Sequence, residues 1–487
     1  MLILSLPPEI IDHIAFLVEK PRDLLALALT CRVVSEVIIP YHIDYRYILT
    51  PLHSSLWDHL ITRRDLANRI SHLFIHDDAE SYGISPFPRL VDWSEGWVNE
   101  AMDGVLLRVC DALLSMKNLV SLKWKPLLSE LDPETTVLEG SLWPTIQSFA
   151  SLRHLLLPYP MSRVRKYNVL SNPLWSISNL TSLTLDNIPP PLYPFPPAPC
   201  IASLLRHSPC LEKLCLNATH PPISLSDIPL PRLCRLIFRT RPRDQEPFSR
   251  SPCPSLSRFL ETHPSIESVE WLDSFPGLLD DYTLPNLRHI YGRDTRNGVE
   301  NILNTPHHQK RPIESLGQLS LSPILFGALS NIQPHSLRRV DISHFPTIED
   351  IGRLADMFPG ITWLRVPAID YRNDFSAATT RPILTAEWPD AISRFQNLEV
   401  FHGVSFFLEP TQCEENLHRA EYLHSICPRL REVDHWDNES SAILELLPID
   451  VPDGSCVDDL PEFRIMALRE RVIKDLDDRY AWREPFD

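Results

Sequence analysis

Long apolar runs, a basic leader and the spacing patterns of known catalytic loops are all missing from this sequence. No stretch approaches the ~20 apolar residues that a bilayer span needs. No basic segment precedes a long apolar one, so a secretory signal is not expected. Cysteine is sparse, with ten residues in 487 and no C-x-x-C pair, too few for a disulfide scaffold. Lysine is sparser, at eight residues in a basic set made mostly of arginine. Positive charge is short altogether, and a formal net charge of -17 argues against general affinity for nucleic acid or anionic membrane, which needs clustered cations. No G-x-S-x-G, H-E-x-x-H, G-x-G-x-x-G or P-loop pattern occurs, and each of these carries a specific chemistry. His307-His308 reads as a polar loop, Asp280-Asp281 and Asp458-Asp459 as turns or caps, and Cys210 and Cys215 as packing residues. The expectation is a non-catalytic protein of the cytoplasm and/or nucleus, with no cofactor, no metal site, no nucleic acid and no membrane.

What is present is enough apolar residue, 44% against 22% charged, to bury a core. The 47 prolines are about twice the usual ~5% share. They stand between short apolar runs and punctuate many short elements. The length allows one very large domain or two to four ordinary ones.

The first fifty residues read as short helices. Pro7 and Pro8 suit a first helical turn, whose N–H groups have no acceptor, and Glu9 meets the positive helix end. Ile10, Ile14 and Leu17 share one face. Pro21 to Asp23 opens a second helix, Leu24, Leu27, Ala28 and Cys31 continue the apolar pattern, and Pro40 closes the segment. About 45 residues cannot bury this much apolar surface alone. The surplus packs on a following domain or binds a partner.

The stretch Leu6-Pro7-Pro8-Glu9-Ile10, then Ile14, then Leu24 to Arg32 (LLALALTCR), resembles the F-box in its start, its spacing and its N-terminal position. The IIPYH segment that follows resembles large fungal F-box families. The resemblance implies a three-helix domain that docks on a Skp-type adaptor and, through it, a cullin–RING ubiquitin ligase. Carried over residue by residue, Leu6, Pro7, Ile10, Ile14, Leu24, Leu27 and Cys31 would form the docking surface and its support. Many F-boxes place an aromatic residue soon after the Cys-Arg pair; this chain has Val34 and Val37 instead. Scarce lysine then has two readings, lineage bias or few acceptor amines beside a ligase.

Further along, a helical stretch, a break and a Leu-x-x-Leu-x-Leu strand recur. The strands run at Asn118–Trp124, Ser151–Leu157, Asn179–Leu185, Cys210–Leu216 and Ser265–Trp271, with later copies centred on Leu287, Leu337, Ile361, Leu398 and Leu430. One such unit cannot bury its apolar face, but stacked neighbours can. The reading is α/β: a short all-helical F-box at 1–50, a linker and cap at 51–104, an irregular leucine-rich-repeat solenoid at 105–459 with parallel strands inside and helices outside, and a capping helix and tail at 460–487. The irregular spacing calls for inserted loops, such as the proline-rich Ile188–Cys200, Arg239–Pro254 and Asn301–Pro312, or for degenerate copies. The variable strand positions then face a target protein of unknown identity. They include Lys123, Trp124, Arg153, His154, Lys213, Glu270, Arg288, Arg338, Arg365, Glu399 and Arg431. The expected function is substrate recognition for an SCF-type ligase; the alternative is a non-ligase protein-binding scaffold with a degenerate F-box.

Overall fold

The computed structural model describes residues 6–18, 21–76, 91, 102–125, 138–158, 172–188, 197–218, 225–239, 254–272, 279, 283–293, 298–304, 311–367, 383–403, 413–434, 443–446 and 463–466. The chain forms two compact units, Met1–Ile237 and Phe238–Asp487. Among the described helices, none is long and apolar enough to cross a membrane.

The first unit opens with three helices, α1 (Pro8–Leu17), α2 (Pro21–Ala28) and α3 (Arg32–Ile38). Pro8 occupies the first turn of α1, and Pro7 before it is extended (φ -56°, ψ 146°), the conformation that a following proline enforces. Ile11, Ala15, Leu24, Ala28, Val34 and Ile38 close a core of their own. Pro40 does not end the third segment as the sequence suggested. The chain continues through a wide π-type turn at Ile39–Ile43 and a short turn at Asp44–Arg46, the widened turn accommodating the ring and the missing N–H of Pro40.

The sheet of the first unit starts earlier than expected. Its strands are β1 (Tyr47–Thr50), β2 (His72–His76), β3 (Ser121–Lys125), β4 (His154–Pro158), β5 (Ser182–Ile188), β6 (Lys213–Ala218) and β7 (Arg235–Arg239), in chain order. β1 to β6 pair in parallel. β1 lies inside the stretch assigned to the helical domain; β2 lies inside the stretch assigned to linker and cap, where the apolar run Leu73–His76 already reads as a first strand, and the repeats begin at 47 and not at 105. Helices Leu56–Thr62, Met102–Leu113 and Pro197–Arg206 occupy the connections.

The second unit continues the pattern with β8 (Ser268–Leu272), β9 (His289–Arg293), β10 (Ser315–Leu319), β11 (Arg339–Ile342), β12 (Trp363–Arg365), β13 (Val400–His402) and β14 (Glu432–Asp434). These pair in parallel in that order. Two further strands follow antiparallel: β15 (Ile443–Leu446) pairs with β14, and β16 (Phe463–Met466) pairs with β15. Residues 463–466 are therefore strand and not the capping helix expected there; the rest of 460–487 lies outside the described residues. The loop expected at Asn301–Pro312 is helical at its start, within Gly298–Leu303. Of the proline-rich loop, 189–196 lies outside the described residues, and Pro197 already opens a helix. Two helices carry clear start signals. Ser322 accepts from the Leu325 N–H at 3.1 Å, and Thr347 with Asp350 forms a capping box, satisfying backbone donors that the first turn leaves open.

One hydrogen-bond pattern explains the Leu-x-x-Leu-x-Leu signature. The first leucine closes a tight turn, as Leu119 N–H does on Met116 O at 3.1 Å and Leu430 N–H on Cys427 O at 2.9 Å. The next residue then donates to its counterpart one repeat back: Arg153 to Val120, Thr181 to Arg153 and Glu212 to Thr181, each at 2.8 Å. The same ladder runs through Arg288, Glu314, Arg338, Thr362, Glu399 and Arg431 in the second unit. The strand begins only after this bend, which shifts every expected strand about three residues toward the C-terminus. The expected inward leucines Leu119, Leu122, Leu180, Leu183, Leu211, Leu214, Leu398 and Leu430 are each at most 1% exposed. Each contributes about 2 kcal/mol by leaving water.

Candidate functional site

Two surfaces emerge once the cores are assigned. The first belongs to the N-terminal helices. Of the seven residues that the F-box resemblance assigned, Leu24 lies fully in the helical core, and Leu6, Leu27 and Cys31 pack partly against it. Ile14 is half-buried, while Pro7 and Ile10 are exposed. The exposed apolar set is wider than the sequence reading: Ile10, Phe16 and Leu17 on α1, Leu25 on α2, Leu29 just after it, and Val33 on α3. Leu25 and Leu29 stand one helical turn apart. Their signal was present in the unbroken LLALAL run, since a helix apolar all round buries one face and offers the other.

This bundle is fastened to the start of the sheet. Arg69, just before β2, grips both carboxylate oxygens of Asp12 on α1, at 2.7 and 3.1 Å. The buried His42 ring shares the same carboxylate at 2.8 Å. Arg46, ahead of β1, donates to the carbonyl oxygens of Phe16 and Val18 at the end of α1. Burial pulls against the charge on Asp12, but the hydrogen bonds from Arg69 and His42 outweigh it and hold the carboxyl below its ordinary range. Burial lowers His42, with Arg69 adding to this and Asp12 opposing it.

Both shifts have the same sign for stability. Between the lowered pKa of His42 and its ordinary 6.5, the unfolded chain binds the proton and the folded chain does not, so stability falls as pH drops through that window. Asp12 adds its own loss lower down, as pH falls from 3.8 through its depressed folded value. We expect a His42→Gln variant, which keeps a polar amide but cannot charge, to lose less melting temperature than wild type between about pH 7 and pH 5. Equal losses in the two proteins would show that His42 plays no part.

The second surface is the sheet face away from the leucine rows, termed the front face. In the first unit, one front row reads Tyr47, His72, Ser121, His154, Ser182 and Lys213, and the next reads Leu49, Phe74, Lys123, Leu156, Thr184 and Cys215. The Tyr47 ring stacks on His72 with centroids 4.3 Å apart, and the Lys123 ammonium lies 5.6 Å from the Phe74 ring centroid. Burial, joined by the charges of His154, Arg46 and Lys123, pushes the His72 imidazole down to about 4.

The front rows of the second unit carry charges that meet one another. Arg339 lies 5.1 Å over the Trp363 ring, His402 meets Glu432 at 3.1 Å, and the Gln318 amide donates to Asp341 at 2.9 Å. Burial raises Asp341, against the opposing Gln318 hydrogen bond and Arg365 charge. Burial also lowers Arg339 to about 10.

The expected target-facing residues divide accordingly. Lys123, Lys213 and Arg365 stand on front rows and are at least partly accessible. Glu270 is on the front face but only 2% exposed, so it does not offer a free carboxylate. Trp124 points the other way, into the core at 1% exposure. Arg153, Arg288, Arg338, Glu399 and Arg431 are not strand residues at all. They occupy the bend ladder, where Glu267, Arg288, Glu314 and Arg338 alternate in sign from one repeat to the next. Arg288 pairs with Glu314 at 2.8 Å. Alternation avoids like charges on adjacent strands, so this row serves stacking first.

No protein-family model and no curated protein matches this sequence. Among solved structures, the chain is similar to that described as "Crystal structure of TLR13-ssRNA13 complex", at 12% identity and a TM-score of 0.29, over 66% of this chain and 40% of that one. A likeness so slight carries no argument about function. The run of chain-ordered parallel strands, most of them entered through a tight turn closed by leucine or isoleucine, makes this a leucine-rich-repeat-like fold in its own right.

Proposed function

We propose that the chain is a substrate receptor of an SCF-type cullin–RING ubiquitin ligase. The N-terminal helices dock on a Skp-type adaptor, and the repeat sheet holds a target protein. The chain performs no acyl transfer itself; it places target lysines near a ubiquitin-loaded enzyme and contributes proximity and effective concentration. A place in the cytoplasm and/or nucleus follows from such a role. The observation that carries the reading is an exposed apolar set on helices whose own core is already closed by other residues. Such a patch on an otherwise charged surface marks an interface, and its position coincides with the segment that resembles the F-box.

The test is direct binding of full-length protein to a purified Skp-type adaptor, by calorimetry or surface plasmon resonance. A saturable complex in the micromolar range or tighter is expected. Absence of a complex with a correctly folded chain would overturn the ligase reading and leave a protein-binding scaffold.

A further inference from the structure

The N-terminal bundle is too small to hold its own offered surface. Its three helices lie within Pro8–Ile38, short of the ~40 residues below which a chain usually needs a disulfide, a metal or a partner to stay folded. Among the described residues it has no metal cluster, and Cys31 is a free thiol. α1 has 10 residues and buries only Ile11 and Ala15, and a helix under about 12 residues is marginal in water. It also has no basic residue in its last turn, where the open carbonyls carry partial negative charge. The chain that leads into the first repeats supplies what is missing. Arg46 donates to the Phe16 and Val18 carbonyl oxygens at that end. Arg69 grips Asp12 through both oxygens, with the buried His42 ring alongside. The Tyr41 ring, 5.7 Å from the Arg69 guanidinium carbon, covers one side of this clamp. Arg46, Arg69, His42 and Tyr41 all lie outside the three helices.

We propose that Arg46 and Arg69 are positioning residues of the N-terminal docking surface: they hold α1 folded and turned so that Ile10, Phe16 and Leu17 face outward, and the bundle together with the first repeat is the unit that a partner recognises. The inference rests on the docking half of the proposed function and names what keeps that surface in shape. Ile10 and Leu17, seven residues apart, share one face of α1. Asp12 stands about 200° around the helix from Ile10, so the clamp leaves the offered face uncovered. Ile10 and Leu17 are indeed 46% and 63% exposed. Neither arginine has to touch the partner. Their effect is preorganisation, because a surface already in its bound shape loses less freedom on binding. The clamp is partly shielded, with the Asp12 and Arg69 side chains 36% and 22% exposed, so it contributes more than a fully solvated pair. Arg32 and Glu36 on α3 form such a solvated pair, at 91% and 63% exposure, and fasten the bundle to nothing else.

The experiment uses the full chain, with hydrogen–deuterium exchange read by mass spectrometry and affinity for a purified Skp-type adaptor read by calorimetry. The R46M/R69M variant keeps both apolar stems and removes both guanidinium groups. Its α1 amides are expected to exchange at least tenfold faster than in wild type, while those of β3 to β6 keep their rates and show that the sheet still folds. Its adaptor affinity should fall at least fivefold with every exposed apolar residue in place. Saturating adaptor should return its α1 amides to slow exchange, because the docked pose is the wild-type one. D12N/R69M should lose no more than R69M alone, because both changes break one contact. R32M is the control and should change neither reading. Should β3 to β6 also exchange faster in R46M/R69M, R69M and D12N alone are read against the same limits. Unchanged α1 exchange overturns the proposal, and so does faster exchange at wild-type affinity. Additive losses from D12N and R69M, or α1 amides that stay fast in the complex, overturn it too. If the wild-type chain forms no adaptor complex, the ligase reading falls, and α1 exchange in the free chain alone decides the clamp.

Discussion

A chain carrying L25D and L29D together is expected to lose adaptor affinity by at least about thirty-fold, the equivalent of about 2 kcal/mol, while melting at the wild-type temperature. Leu25 and Leu29 are 46% and 72% exposed, so the free protein gives up little packing when they are replaced. In a complex the same two side chains would be driven into an apolar partner surface. A carboxylate placed there must be desolvated without a partner, which costs more than the lost contact alone. Replacing Leu24 would fail as a test, because it is a core residue at 0% exposure and its loss unfolds the bundle. The decisive pair of measurements is adaptor affinity and the thermal melt on the same preparation. Wild-type affinity in the double variant would remove α2 from the interface.

A comparable loss in stability, about 3–5 kcal/mol for deleting a large buried aromatic side chain, is expected from W271A. Trp271 is fully buried on β8, and its register partner on β9 is Gly292. The indole lies directly over that glycine: a Cβ built on Gly292 would stand 2.6 Å from the ring. The bare backbone is thus what lets the tryptophan lie flat between two repeats. Truncation leaves a cavity that the rigid hydrogen-bond ladder on either side cannot collapse to fill. Urea unfolding should show a lower midpoint, and near-neighbour coupling should make the second unit open first. A loss below about 1 kcal/mol would mean that the site repacks or is already loose.

Much of this was legible without coordinates. The leucine turns were read at ten places, and the helices Met102–Leu113 and Cys413–Ile426 stand ahead of two of them, as the recurring helix–break–strand unit requires. The missed strands have two causes. β1 reads as YILT inside an aromatic helical tail, β7 as RLIFR within a basic stretch, and β10 as SLGQL after a polar loop. β7 does follow a leucine turn, Leu233 N–H closing on Leu230 O at 3.1 Å, and is a degenerate copy that the pattern passed over; β1 and β10 follow none, so nothing local separates those two from coil. Their neighbours' unpaired backbone groups recruit them, which is why the gap between β9 and β11 holds a further strand.

The sequence by itself determined the repeat unit, because a period-two leucine strand after a helix has one way to bury its apolar face. It also marked the N-terminal segment as a helical bundle with more apolar surface than it can hide. Register and facing were decided only by the tertiary structure. A turn of three residues before each strand moves a side chain from a front row to the bend ladder. Whether Leu24 or Leu25 faces outward depends on how α1 and α3 close over α2, and both leucines satisfy the same local pattern. The pairing of Gln318 with Asp341 and of His402 with Glu432 exists only between strands many residues apart. It arises when parallel stacking brings those residues to within one strand spacing of each other.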